Sequence, residues 1–321
     1  MNDSSLTHQS LYWGAQKFAN SAMEAHANSD LEVFILHAGV SIERLAKASL
    51  SKTTPLLLLD TKPNEENILH FAGIQEAKRV RTVGAVGAIA RLRAMNALPA
   101  DSGLDELIEL RNGVAHLQHS GGAIEDTLNT FVTTTNNLLE FLNLGDLQNY
   151  WGKWLNVVEI TMRQDLESTQ KDVARRIENS RHLIDGRFRE LSPSAMDAVY
   201  ADAGSGRMDG YGYGLGMMCG TYSYSSPYIC PACNCRGTLS VVIPGLGATP
   251  EGPHRRSFGC PLCGIALRGD DELSAANIPT DALFFDEEGR GIKLTVSSFT
   301  SLIELEFLTA DEASRALRQF D

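Results

Sequence analysis

Cys230-Pro-Ala-Cys233 and Cys260-Pro-Leu-Cys263 are the stretches from which this chain is read outward. Each is a tight turn presenting two thiolates, and 26 residues separate the two pairs. Two such turns can offer four sulfurs to one tetrahedral Zn2+, which leaves no coordination position for water or substrate. The spacing therefore predicts one structural zinc per chain, held by Cys230, Cys233, Cys260 and Cys263. Gly264 follows the last cysteine and suits a turn whose backbone N–H groups point at sulfur. Cys235 and His254 stand close enough in sequence to replace one ligand. All six cysteines lie between Cys219 and Cys263, a clustering that favours metal in a reducing cytoplasm over a disulfide scaffold.

Around the turns the pattern is β. Thr238 to Ile243, Ile265 to Arg268, Ala282 to Phe285, Gly291 to Val296 and Leu302 to Phe307 read as short strands, and Thr309 to Asp311 as the cap of a short terminal helix. Residues 225–321 are thus expected to form a small α+β zinc module. This module resembles a zinc ribbon. The resemblance implies a stabilised small fold that in some cases contacts nucleic acid or a protein partner. Arg255, Arg256 and Arg268 would give it a basic face, and Tyr222, Tyr224 and Tyr228 aromatic surfaces for stacking or packing.

Upstream the period changes from two to 3.6. Leu11, Ala15, Phe18, Ala22 and Met23 mark a helix over 6–28, and Asp30 caps a second over 31–51. Residues 65–97 read as mostly helical, although Gly73, Gly84 and Gly87 interrupt them, and 104–118 and 123–144 are two more amphipathic helices. These make residues 1–145 a helical bundle. Residues 146–191 read as a long connecting helix, and 192–224 as a linker rich in glycine and tyrosine. The fold class is multidomain and mainly α, with the α+β module at its end.

A net charge of -12 excludes a general polyanion binder, so any nucleic-acid contact must come from a local patch. Lys78, Arg79, Arg81, Arg91 and Arg93 form one candidate, with no acid among residues 78–93; a solvated helix face is the plainer reading. The first residues lack the basic and apolar runs of a signal peptide, and no stretch approaches 18 apolar residues, so no membrane span is expected. No phosphate-binding loop and no nucleophile elbow is present.

The remaining chemistry is at Arg111-Asn112-Gly113-Val114-Ala115-His116. Histidine titrates near neutrality and can move a proton, while arginine keeps its charge and can grip phosphate through two N–H groups. Asn112 lies four residues before His116 and shares its helical face. On an ideal helix Arg111 and His116 stand about 140° apart, so one copy is a thin active site. An ordinary reading of Arg111 is a surface salt bridge to Asp105, Glu106 or Glu109.

The Arg-polar-…-His element, in the second half of an all-helical domain, resembles the signature of the HEPN superfamily of ribonucleases over roughly residues 6–145. The stretch Ser41-Ile-Glu43-Arg-Leu-Ala-Lys47 is similar to a second helix often seen in that family, and this implies that Glu43 faces the site. The resemblance also implies a homodimer that places two motifs around one cleft, and an RNA substrate cut without a catalytic metal. It points to a bacterial toxin or anti-phage effector whose C-terminal module senses a trigger or partner. The alternative is a non-catalytic binding protein, with the zinc module engaging nucleic acid or protein on a helical scaffold.

Overall fold

The computed structural model describes residues 6–62, 64–113, 124–144, 146–205, 216–218, 221–244, 256–278, 282–285, 291–296 and 303–307. The chain divides into two compact units, Met1–Arg163 and Gln164–Asp321. Among the described residues it is mainly helical, with antiparallel sheets in the second unit.

The first unit is built on a helical hairpin, α1 (His8–Ala27) and α2 (Leu31–Thr53). Thr7 caps α1 by accepting from the Ser10 N–H, and Asp30 caps α2 by accepting from the Val33 N–H at 3.2 Å. The expected Asp30 cap is thus present, and Ser29 makes the turn with a φ of 60°. The core stripes are Leu11, Ala15, Ala19, Ala22 and Met23 on α1, and Phe34, Ile35, Ala38, Ile42, Leu45 and Ala46 on α2. Short α3 (Glu65–Phe71), α4 (Ala85–Ala94), α5 (Ser102–Gly113) and α6 (Ile124–Phe141) surround this pair.

The stretch 65–97 is not one helix. Gly73 turns the chain at a φ of 73°, Gly84 stands as the cap of α4, and the segment between them is loop. This loop is closed by an antiparallel bridge between Leu59 and Thr82, where the Val83 N–H donates to the Leu58 carbonyl at 2.9 Å.

The connecting helix expected over 146–191 is corrected in the same way. Asp146 caps α7 (Leu147–Trp151), Gly152 breaks it at a φ of 54°, and α8 (Leu155–Met162) follows. Tyr150, Trp151 and Trp154 are completely buried in the core of the first unit. Phe34, Phe131 and Trp151 meet edge to face at centroid separations of 6.0 and 5.7 Å. The Trp151 indole donates to Asn136 at 2.9 Å, and the buried Ser41 hydroxyl donates to the Ala15 carbonyl at 2.9 Å. Burial of these large aromatic rings, with the Trp151 indole hydrogen-bonded, is why this segment folds back instead of bridging.

The second unit opens with α9 (Ser168–Phe188), started by a capping box between Glu167 and Gln170. Its positions 173, 177, 180, 184 and 188 form one stripe. Val173 and Ile184 are buried in the cluster that holds the cysteines, and Ile177 and Phe188 pack against it. Half of the supposed connector is therefore a core element of the cysteine module. The supposed linker over 192–224 also carries regular structure, in α10 (Pro193–Ser205), β1 (Gly216–Met218) and β2 (Thr221–Ile229). Pro193 is pre-set for a first helical position, and Tyr222, Tyr224 and Tyr228 lie in a strand.

Strands β1 and β2 continue into β3 (Arg236–Pro244), β4 (Arg256–Gly259) and β5 (Ala266–Arg268), paired in sequence order as one antiparallel sheet. The register sets Leu239 opposite Phe258, and Phe258 opposite Leu267, all three buried. Short α11 (Gly269–Ala275) follows, and then a three-stranded antiparallel sheet of β6 (Ala282–Phe285), β7 (Gly291–Val296) and β8 (Ile303–Phe307). The five strands expected from sequence have these counterparts. The terminal helix near Thr309 lies outside the described residues.

Candidate functional sites

The two cysteine turns are geometric copies. In the first, the Cys230 N–H donates to the Cys235 carbonyl at 2.8 Å and the Asn234 N–H to the Cys230 carbonyl at 3.0 Å. In the second, the Cys260 N–H donates to the Ile265 carbonyl at 3.0 Å and the Gly264 N–H to the Cys260 carbonyl at 3.0 Å. Asn234 and Gly264 occupy equivalent places at φ values of 59° and 75°, a region open to these two residue types. The Ala232 N–H points at the Cys230 sulfur from 3.4 Å.

The four sulfurs of Cys230, Cys233, Cys260 and Cys263 lie within 4.8 Å of one another. The Cys230–Cys263 pair is 3.6 Å apart and the Cys233–Cys260 pair 3.5 Å. A tetrahedral zinc with Zn–S bonds of about 2.3 Å requires sulfur separations of about 3.8 Å, so the donor set fits one such ion. Its protons show the same need. Hydrogen bonding with Cys230 pushes the Cys233 and Cys263 thiols up. Hydrogen bonds from Cys233 and Cys230 in turn pull Cys230 and Cys260 down. Four thiolates this close cannot all ionise without a cation between them.

Cys235 is not a fifth donor to this group. It stands one residue after the positive-φ position, where the second turn has Ile265, and is buried as that isoleucine is. Its sulfur faces the carbonyls of Tyr200 and Arg236 at 4.0 and 3.8 Å. Cys219 and His254 lie outside the described residues.

Helix α9 grips the cysteine module through two arginines one and a half turns apart. Arg181 donates to the carbonyls of Pro231 and Ala232, at 2.8 and 3.3 Å, inside the first turn. Arg176 donates to the Ala266 carbonyl at 2.9 Å, just after the second turn, and is paired with Asp172 and Glu272. Sequence reading singled out neither for this role; the local pairs Asp172–Arg176 and Glu178–Arg181 are visible in the sequence, but the backbone carbonyls that the arginines reach are not.

The second site lies in the first unit, where Arg111 of α5 meets α2. An Arg111 guanidinium nitrogen is 2.6 Å from the Glu43 carboxylate, and Lys47 holds the other Glu43 oxygen at 2.6 Å. Lys47 also donates to the Thr82 hydroxyl at 3.1 Å. The three charged side chains are only 12–21% exposed. Burial pushes the Glu43 carboxyl up, but Lys47 and then Arg111 outweigh it and hold the group below its ordinary value. The Asp105, Glu106 and Glu109 pairing is thereby corrected: the partner of Arg111 is Glu43, and Asp105 is bound to Arg93 at 2.8 Å. Asp105, Glu106 and Glu109 stand six, five and two residues before Arg111 on its own helix, whereas Glu43 reaches the guanidinium from α2. Asn112 is exposed at the end of α5. His116 and His119 lie outside the described residues.

Gly39 is the part of this site that the sequence reading did not single out. A methyl group added there would lie 2.6 Å from Arg111 Cδ and 2.9 Å from its Cβ and Cγ, so the arginine stem crosses α2 at the glycine. The available signal was one glycine inside a strong helix, which costs about 1 kcal/mol against alanine and asks for a packing reason. Gly39→Ala is therefore expected to forfeit that propensity gain and destabilise the unit, by on the order of 1 kcal/mol in denaturant unfolding. A stabilised Gly39→Ala protein would show that the stem does not need the groove.

Acid should release the same cluster. The folded Glu43 carboxyl is depressed from 4.5, so it contributes stability above that pH and loses it as pH falls through the folded value. The first unit is expected to weaken below about pH 4.5, with Glu43→Gln removing part of the fall. Unchanged pH dependence in that variant would contradict it.

Comparison with protein-family models, with curated proteins and with solved structures finds no match to this chain. Among the described residues no helix is long and apolar enough to cross a membrane.

Proposed function

We propose that the chain is a metal-independent endoribonuclease of the HEPN type, with a structural zinc in its cysteine module. The observation that carries the reading is the ion pair between Arg111 and Glu43 at 2.6 Å, made across Gly39 by residues 68 positions apart. It joins the two elements on which the HEPN resemblance rests. Glu43 fixes one face of a guanidinium that has five N–H donors, so the group is oriented and still has donors for a phosphate. A partly buried, oriented cation is what a developing phosphorane charge requires, because it need not reorganise as the reaction proceeds.

In this reading His116 moves the proton between the 2′-hydroxyl, the leaving 5′-oxygen and solvent, and Arg111 clamps the phosphate. Asn112 positions the phosphate or a water, and Glu43 holds Arg111. A second copy supplies the facing motif in a homodimer. The four-cysteine site leaves no open position for chemistry, so zinc there acts on the fold of the module, which in turn serves recognition or sensing. A growth-arrest toxin or anti-phage effector working in the cytoplasm fits such an activity.

The test is cleavage of tRNA, rRNA and mRNA by the purified chain in chelator, without added Mg2+. Products ending in a 2′,3′-cyclic phosphate, or its opened form, support the proposal. No cleavage, with wild type and His116→Ala equally toxic in cells, favours the non-catalytic binding module.

A further inference from the structure

We infer that the loop carrying Lys78, Arg79 and Arg81 is a fixed phosphate-binding ledge that guides single-stranded RNA to Arg111. This rests on the ribonuclease reading and names the substrate track of the same site.

The five cations of residues 78–93 divide into two groups. Arg91 donates to the carbonyls of Leu57 and Leu59, both at 2.6 Å, and so braces the turn before α3. Arg93 binds Asp105 and the carbonyls of Pro99 and Asp101. These two hold the fold together. Lys78, Arg79 and Arg81 are exposed, and among the described residues their side chains have no acidic partner. Of the nearby acids, Glu66 accepts the Lys78 backbone N–H at 2.5 Å, and Glu76 is the one carboxylate within the loop itself.

The loop backbone is pinned in place. Besides Glu66, the His70 ring accepts the Ala77 N–H at 3.3 Å and Asn67 accepts the Arg81 N–H at 3.1 Å. Asn67 is only 2% exposed and is itself tied to Asn64. A buried carboxamide used to hold an exposed loop fixes the backbone from which its cations project. A backbone already held in place loses little further entropy when its cations meet a polyanion.

The loop also leads to the site. Arg81 precedes Thr82, whose hydroxyl accepts from Lys47, and Lys47 shares Glu43 with Arg111. Three linked side chains thus separate the ledge from the guanidinium. On a chain of net charge -12, an exposed group of three cations beside these linked side chains draws a polyanion locally.

The experiment measures binding of a fluorescein-labelled, 2′-O-methylated single-stranded oligoribonucleotide to the full chain across a salt series. The 2′-O-methyl groups prevent cleavage, so binding is read separately from catalysis. K78A/R79A/R81A is expected to weaken binding about tenfold and to flatten the log K against log salt slope by about 2, given about 0.7 per phosphate contact on single strands. Its thermal unfolding should match the wild type. K78R/R79K/R81K, which keeps the charge, should keep the slope. A DNA strand of the same sequence should show the same loss, since phosphate is what the ledge reads. Unchanged affinity and slope in the triple alanine variant, or no binding by the wild type, overturns the inference. Binding through the ledge with no cleavage of ordinary RNA leaves the inference standing and removes the ribonuclease proposal. Cleavage with unaltered binding in the variant does the reverse.

Discussion

Cys230→Ser with Cys260→Ser is expected to abolish metal binding and unfold the cysteine module, while the helical unit Met1–Arg163 keeps its own unfolding transition. The two substitutions remove one sulfur from each turn and one from each close pair, Cys230–Cys263 and Cys233–Cys260. What remains is two thiols and two hydroxyls, a donor set far weaker for zinc. The module is expected to depend on the ion, because the apolar core of its described residues is modest. Leu239, Val241, Phe258, Leu267 and Leu273 are its main buried side chains, helped by Val173 and Ile184 from α9. In zinc-finger peptides, metal binding supplies about 10–16 kcal/mol of apparent free energy that is also folding free energy. Elemental analysis should give one zinc per wild-type chain and none in the variant. Limited proteolysis should then cut the variant after residue 164 and spare the first unit. A variant that still carries about one zinc per chain would refute the ligand assignment.

The second large effect is expected on RNA cleavage. His116→Ala removes the proton shuttle, for which losses of about 10²–10⁴ are typical. Arg111→Ala removes an oriented cation at the developing charge, with a loss of about 10²–10³. Arg111→Lys should rescue little, because a single ammonium cannot keep the Glu43 contact and bind phosphate through a planar fork. Glu43→Gln keeps the volume and one acceptor oxygen, so its loss should be smaller, about tenfold. Glu43→Gln disturbs the buried cluster, whereas an alanine at exposed Asn112 leaves it intact, so a loss in Asn112→Ala would report on catalysis without a change in folding. Equal rates for wild type and Arg111→Ala, or cleavage that appears only with Mg2+, would remove Arg111 from the chemistry.

The cysteine site was legible because its information is local. Two Cys-x-x-Cys turns carry their geometry in four residues each, and only their meeting had to be assumed. The helices of the first unit were legible for a related reason, since an apolar period of 3.6 and a capping aspartate act within one turn. The arginine cluster was legible only in part. Glu43 and Arg111 could be named as candidates, but the groove at Gly39, the bond from Lys47 to Thr82 and the pinning of the cationic loop by Asn67 join segments far apart in sequence.

Residues 146–205 show the limit most clearly. Taken alone they are helical and charged, followed by glycine and tyrosine, which reads as connector and linker. By itself the sequence determined that four thiols would form a metal-fitting cluster, that the first half would be a helical bundle and that strands would follow. Only the tertiary structure decided that Trp151 and Trp154 close the core of the first unit while Val173 and Ile184 belong to the cysteine module. The reason is that local periodicity states which face of a helix is apolar, and not which of two cores that face will enter.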